Sequence, residues 1–199
     1  DYNNGGARYN SSYVQGVGVG SLTDSLIAIK KHVFDDQTIS INKFMDALSK
    51  NFDGYDELKA ELCDRTPKYG NDDDYVDNIA RRLFESFFNS VDGRPNNKGG
   101  HFRINLLPTT CHVYFGSVIG ALPDGRNAGK PLSEGISPVQ GADRHGPTAV
   151  LKSAAKLDHL RTGGTLLNQK FTPQIFEDDN SVTKIIALIR SYFRMDGHH

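Results

Sequence analysis

The sequence predicts a mixed α/β fold, helical through residues 1–95 and built of short strands and loops through residues 96–199. Two observations carry this. Apolar residues recur at helical spacing through most of the first half. In the second half that spacing gives way to short apolar runs set between glycines and prolines. No Gly/Ser-rich or Pro-rich linker divides the halves, so the 199 residues read as one segment of one domain.

Residues 1–20 carry Gly5, Gly6, Gly16, Gly18 and Gly20, which predict loops and turns. Gly16-Val17-Gly18-Val19-Gly20 lacks the preceding apolar strand and the Lys-Ser/Thr of a phosphate loop, which argues against nucleotide binding. Leu22, Leu26, Ile29 and Val33 predict the apolar face of a first helix, with Ser21 or Thr23 as N-cap. A second helix runs from a Ser40 cap through Phe44, Leu48 and Phe52. A third covers 54–64, with Leu58 and Leu62 on one face. A fourth spans 72–90, with Val76, Ile79, Ala80, Leu83, Phe84 and Phe87 as its stripe. Asp72, Asp73 and Asp74 stand at its start, where the helix dipole favours acid. Three consecutive side chains diverge on a helix, so they read as a solvated cluster and not a metal site.

In the second half, Phe102–Leu107 and His112–Phe115 read as short strands joined through Pro108. Leu122-Pro123-Asp124-Gly125-Arg126-Asn127-Ala128-Gly129 is a turn signature. A long irregular segment, 130–147, follows; loops of that length are functional or held by a larger body. A helix is expected over Thr148–Leu157, a strand over Gly164–Phe171, and a last helix with Val182, Ile185, Ile186, Ile189 and Phe193 as its stripe.

Composition excludes several classes. Twenty-three basic against 24 acidic side chains give a net charge of -1, which offers nucleic acid or an anionic membrane no attraction. No apolar run approaches the ~20 residues of a membrane helix, and the first residues show no secretory signal. Cys63 and Cys111 are too few for a disulfide framework or a zinc site. They point to a reducing, cytoplasmic compartment and read as packed, buried thiols. Cys111-His112 could pair a thiolate with a base, but neighbours on a strand diverge, and so does the His198-His199 pair. No metal site is expected. Asp124, Glu134, Asp143 and Asp158 with Arg126, Arg144 and Arg161 read as loop-fixing hydrogen bonds and ion pairs.

The order of motifs then resembles one family. Pro123-Asp124-Gly125-Arg126-Asn127-Ala128-Gly129, Pro131-Leu132-Ser133-Glu134-Gly135-Ile136-Ser137-Pro138, Gly146-Pro147-Thr148-Ala149 and Gly164-Thr165-Leu166-Leu167-Asn168-Gln169-Lys170-Phe171 are similar to segments of the glycyl radical enzymes. So are Gly5-Gly6-Ala7-Arg8-Tyr9-Asn10, Gln15-Gly16-Val17-Gly18, Asp24-Ser25-Leu26 and Pro67-Lys68-Tyr69-Gly70-Asn71-Asp72, and Gly197-His198-His199 reads as the family's approach to a core strand.

The resemblance implies a ten-stranded α/β barrel, of which this chain would hold an incomplete part. It implies no directly bound cofactor, but a glycyl radical installed by an activating enzyme that carries an iron–sulfur cluster and S-adenosylmethionine. It further implies a cysteine thiyl that takes a hydrogen atom from a small-molecule substrate, and a cytoplasmic homodimer at full length. The family's Gly-Cys-Val-Glu and Arg-Val-x-Gly-Tyr motifs do not occur in these residues. The chain is therefore expected to be an internal fragment, inactive alone, and no catalytic residue is assigned.

Asn105-Leu106-Leu107-Pro108-Thr109-Thr110 and His112-Val113-Tyr114-Phe115-Gly116 resemble the branch that dehydrates trans-4-hydroxy-L-proline. By position in that branch, Leu107 and Thr109 are the candidate substrate contacts, Leu107 against a ring and Thr109 as a hydrogen-bonding group; ordinary strand packing is the alternative for both. A carbon–carbon or carbon–nitrogen lyase of the formate acetyltransferase type, or a non-catalytic truncated product, are the other readings. The isolated chain is expected to give no organic-radical signal by electron paramagnetic resonance after treatment with an activating enzyme; a doublet signal would show that it carries the radical glycine.

Overall fold

A computed structural model describes residues 9–177 and 179–197. Gly5-Gly6-Ala7-Arg8 and His198-His199, singled out above, lie outside the described residues. The elements are β1 (Ser11–Gln15), α1 (Val19–Ile29), α2 (Ile41–Ser49), α3 (Asp56–Ala60), α4 (Asp74–Val91), β2 (His101–Asn105), α5 (Cys111–Val118), α6 (Pro147–Ala155) and α7 (Ser181–Arg194). Wider π-type turns extend α1 over Lys30–Asp35 and α3 over Glu61–Arg65, and two 3₁₀ turns cover His159–Arg161 and Pro173–Phe176. No described helix is long and apolar enough to cross a membrane.

The layer that organises the molecule is parallel. β1 pairs with β2 in the register Ser11↔His101 to Gln15↔Asn105, and Gly16 N donates to Asn105 O at 2.9 Å. On the other edge of β2 lies an extended stretch around Thr165. Gly163 N donates to Ile104 O at 2.8 Å, Leu106 N to Gly164 O at 2.9 Å and Leu166 N to Leu106 O at 3.0 Å. Parallel neighbours need long crossovers; α1–α4 form the first and α5–α6 the second. β2 is thus flanked on both sides, and Ile104 and Leu106 are buried within the larger apolar cluster, beside Val76, Phe84 and Leu151. A second cluster, centred on Phe44, Phe52 and Leu62, lies under α1–α3.

Several expectations hold. Ser40 caps α2, its Oγ accepting from Lys43 N at 3.3 Å. Leu58 and Leu62 are buried. The acidic residues stand at the start of α4 as expected, and Asp73 in addition caps it by accepting from Tyr75 N at 2.9 Å. The acidic triplet is not merely solvated: Asp72 pairs with Lys152 of α6 at 2.7 Å, and Lys156 pairs with Asp74 at 2.8 Å and with buried Asp77 at 2.7 Å.

Other expectations are corrected. Residues 11–15 form a strand where loop was expected, because β2 supplies their backbone partners. Residues 112–115 are helical, not a strand. Pro108 ends the pairing of β2, and Thr110 O receives Val113 N at 3.0 Å to open α5, so tertiary context overrides β-propensity. Only Thr165 of the segment 164–171 makes a strand-like bridge, to Leu106. Neither Ser21 nor Thr23 caps α1; Gly18 does, at φ 82°. Leu22 and Leu26 are 47% and 37% exposed, while Thr23, Asp24 and Ile27 face inward. The start of α1 is turned this way by polar docking. Ser21 N donates to Ser133 Oγ at 3.0 Å, and Ser133 N donates to Ser21 Oγ at 2.8 Å. A distant loop thereby satisfies a first-turn N–H that the helix cannot.

Gly135 joins that loop to the parallel layer. Its φ is +53°, and a Cβ there would lie 2.2 Å from Leu166 O and 3.0 Å from Leu106 O. Gly135→Ala is expected to destabilise the chain by at least about 2 kcal/mol, from left-handed strain plus displaced backbone. Urea unfolding measures this, and a midpoint shift worth under about 0.5 kcal/mol would mean that the loop yields freely.

Candidate functional site

The turn that follows β2 is where the candidate substrate residues sit. Leu106 is buried, Leu107 half-buried, Pro108 buried and Thr109 exposed, with Thr110 leading into α5. Leu107 packs beside the 163–164 stretch, where a Cβ on Gly164 would lie 2.4 Å from Leu107 Cδ2. The structure therefore brings Leu107 and Thr109 together just beyond the carboxyl end of a strand with parallel neighbours on both sides. In open parallel α/β layers that is where ligands are bound.

What holds this turn is α5 and the loop beneath it. Leu132 N donates to His112 O at 3.1 Å. Gly116 lies flush on the loop, where a Cβ would meet Lys130 O at 2.3 Å. Among the described residues, the hydrogen bonds of the Arg126 guanidinium, on a residue 9% exposed, all run to backbone carbonyls. It donates to Gly116 O at 2.5 Å, Gly120 O at 2.7 Å, and Lys130 O and Pro131 O at 2.8 and 3.3 Å. The Pro-Asp-Gly-Arg turn is built for this task. Asp124 Oδ1 accepts from Arg126 N at 3.0 Å. Lys68 Nζ donates to Asp124 O at 2.8 Å. A Cβ on Gly125, at φ +94°, would lie 2.4 Å from Cys63 Sγ.

A cleft of about 1200 Å³ opens behind α5, lined in part by His112, Val113, Asp124, Ser133 and Phe171. Leu107 and Thr109 are not among its lining residues. At its floor Asp24 of α1 is fully buried, with Oδ1 accepting from Tyr69 N at 2.7 Å and Oδ2 without a hydrogen-bond partner among the described residues. Burial raises its pKa to about 7, against the opposing pull of Lys68 and the Tyr69 N–H.

The two thiols differ from expectation. Cys63 is half-buried and Cys111 exposed at the start of α5, so Cys111 is not a packed thiol. Helix α5 has no room at Gly116 to turn that side inward, because the loop occupies the inner face. Burial pushes the Cys63 thiol up. Glu134, Asp158, Arg144 and Arg161 make loop-fixing contacts of the kind expected. Arg144 pairs with Asp64 at 2.9 Å and Arg161 with Asp158 at 2.8 Å, and Asn168 Nδ2 donates to Glu134 at 2.5 Å. Sequence reasoning read Arg126 as a loop-fixing group without its carbonyl partners, and it missed the docking of Asp24 and Ser21. An arginine inside a tight turn just before a long irregular loop is the one signal that pointed to those carbonyls.

Asp24 generates a pH prediction. In the folded chain it binds its proton up to about pH 7, whereas its ordinary value is 3.8. Folding takes up a proton between those values, so its contribution is complete below pH ~4 and is lost as pH rises through ~7. Asp24→Asn keeps an acceptor for Tyr69 and removes this dependence. Between about pH 5 and about pH 8, wild type is expected to lose more unfolding free energy than D24N; equal losses in urea titrations would show that Asp24 ionises normally.

Comparison with known proteins places this geometry. The pyruvate formate lyase-like family model matches residues 1–116 and the glycine radical model residues 132–199. Trans-4-hydroxy-L-proline dehydratase of Clostridioides difficile is 53% identical over 199 residues, 100% of this chain and 25% of that protein. Isethionate sulfite-lyase of Bilophila wadsworthia is 38% identical over 186 residues, 92% of this chain and 22% of that protein. The crystal structure of the Clostridioides difficile hydroxyproline dehydratase with trans-4-hydroxy-L-proline bound matches with a TM-score of 0.96, covering 100% of this chain and 25% of that one. The glycerol-bound B12-independent glycerol dehydratase of Clostridium butyricum matches at 0.93 with 46% identity, covering 98% and 25%. The chain thus spans about a quarter of the length of these relatives. It belongs to the pyruvate formate lyase-like family of glycyl radical enzymes.

Proposed function

We propose that this chain is the part of a glycyl radical dehydratase that supplies one wall of the substrate pocket, with trans-4-hydroxy-L-proline as the favoured substrate. The observation that carries the reading is the Leu107–Thr109 turn, at the carboxyl end of β2 and flanked by parallel neighbours. Identity of 53% across the whole chain to a dehydratase of that substrate supports the choice. In the complete protein β1, β2 and the 163–166 stretch are consecutive staves of the ten-stranded α/β barrel, whose closure keeps water and stray hydrogen donors from a radical. The glycyl radical, installed by the S-adenosylmethionine iron–sulfur activating enzyme, supplies hydrogen-atom abstraction through a cysteine outside these residues. The full-length protein acts as a cytoplasmic homodimer.

The work of this chain is to bind and orient. Leu107 offers an apolar surface to the pyrrolidine ring, and the Thr109 hydroxyl hydrogen-bonds a polar group of the substrate. Holding the hydroxyl-bearing carbon in one pose aligns the abstracted hydrogen with the thiyl and the leaving hydroxyl with a proton donor.

The test uses the full-length protein, activated without oxygen and given trans-4-hydroxy-L-proline, glycerol or isethionate, with products followed by mass spectrometry. Loss of one water from hydroxyproline is expected; turnover of only another substrate would overturn the assignment. Thr109→Val and Leu107→Ala are each expected to raise KM for hydroxyproline about tenfold, the cost of one lost hydrogen bond or one truncated apolar contact. Unchanged KM in both would return these residues to ordinary packing.

A further inference from the structure

We infer that Arg126 is a positioning residue for substrate binding, acting through α5 on the Leu107–Thr109 turn; this rests on the reading just given. Among the described residues, no carboxylate accepts a hydrogen bond from this guanidinium. It gathers carbonyls from two bodies: Gly116 and Gly120 at the end of α5, and Lys130 and Pro131 in the loop below. A buried fork of N–H donors that joins two segments at several carbonyls sets their relative position more tightly than a single contact can.

The position of α5 in turn sets the turn above it. α5 opens at Cys111, two residues after Thr109, and Thr110 O accepts the first helical hydrogen bond from Val113 N at 3.0 Å. Pro108 restricts the backbone between β2 and α5. β2 is held on both edges, so the start of α5 is the other end of a short, stiff connection. A shift of α5 away from the loop is taken up at Leu107–Thr110, where the candidate substrate contacts lie. The first turn of α5 is tied to the same loop through Leu132 N and His112 O at 3.1 Å. Gly116 lets the helix lie against Lys130 O.

The experiment is steady-state kinetics of the activated full-length enzyme. Arg126→Lys keeps the charge but not the fork, Arg126→Met removes both, and Gly116→Ala wedges the same contact open from the helix side. Ser40→Ala, which removes the α2 cap and none of the Arg126 hydrogen bonds, serves as a control for lowered stability. KM for hydroxyproline is expected to rise about tenfold in Arg126→Lys and Gly116→Ala and further in Arg126→Met, with kcat within about twofold and radical content unchanged. Ser40→Ala is expected to lower Tm without moving KM. Lowered Tm with unchanged KM in the Arg126 and Gly116 variants, or a failure of all three to fold, would overturn the inference in favour of a purely structural arginine. If wild type turns over a different substrate, the hydroxyproline reading fails separately, and KM for that substrate decides the role of Arg126.

Discussion

The long loop between Leu122 and Pro147 is the constraint on which the rest of the structure depends. It has no regular secondary structure, so each of its buried backbone groups needs a partner from elsewhere. Arg126 supplies one set, by taking the carbonyls of Lys130 and Pro131 together with those at the end of α5. Ser21 and Ser133 supply another, through two reciprocal bonds across 112 residues of sequence. Asn71 supplies a third, donating to Ala142 O at 2.8 Å and accepting from Arg144 N at 2.7 Å. The loop therefore adds polar ties between helices that also share the larger apolar cluster.

That arrangement explains why the inner face of α1 carries polar residues beside Val19, Ile27 and Ala28. Its buried residues include Ser21, Thr23, Asp24 and Ser25. Ser21 meets the loop, Asp24 meets the Tyr69 backbone, and Ser25 Oγ donates back to Ser21 O at 2.7 Å. A buried carboxyl at the centre of this junction is accommodated by retaining its proton near neutral pH, because desolvation disfavours the charged form more than Lys68 favours it. The same economy places α5. Its outward residues, among them Tyr114 and Val118, are exposed, and its inward side is reduced to Gly116 so that helix and loop can touch backbone to backbone.

The sequence by itself determined a good deal. Helical period located α2, α4 and α7, although Val182, Ile186, Ile189 and Phe193 of the α7 stripe lie exposed. Cap chemistry located Ser40, and the Pro-Asp-Gly-Arg turn was legible from residue type alone, because these signals reside within a few neighbouring residues. Ordered motifs along the whole chain also marked the family. Three things were decided only by tertiary structure. Ser11–Gln15 became a strand because β2 offered it hydrogen-bond partners, and pairing of that kind is invisible in the strand's own residues. His112–Phe115 became a helix because Pro108 ended β2 and the loop at Lys130–Leu132 received α5, against the β-propensity of Val113, Tyr114 and Phe115. The face that α1 buries was set by Ser133 and Tyr69, from distant parts of the chain. Periodicity shows that Leu22 and Leu26 share a side; it carries no information on which side the neighbours will take, since that choice depends on contacts made only when the chain is folded.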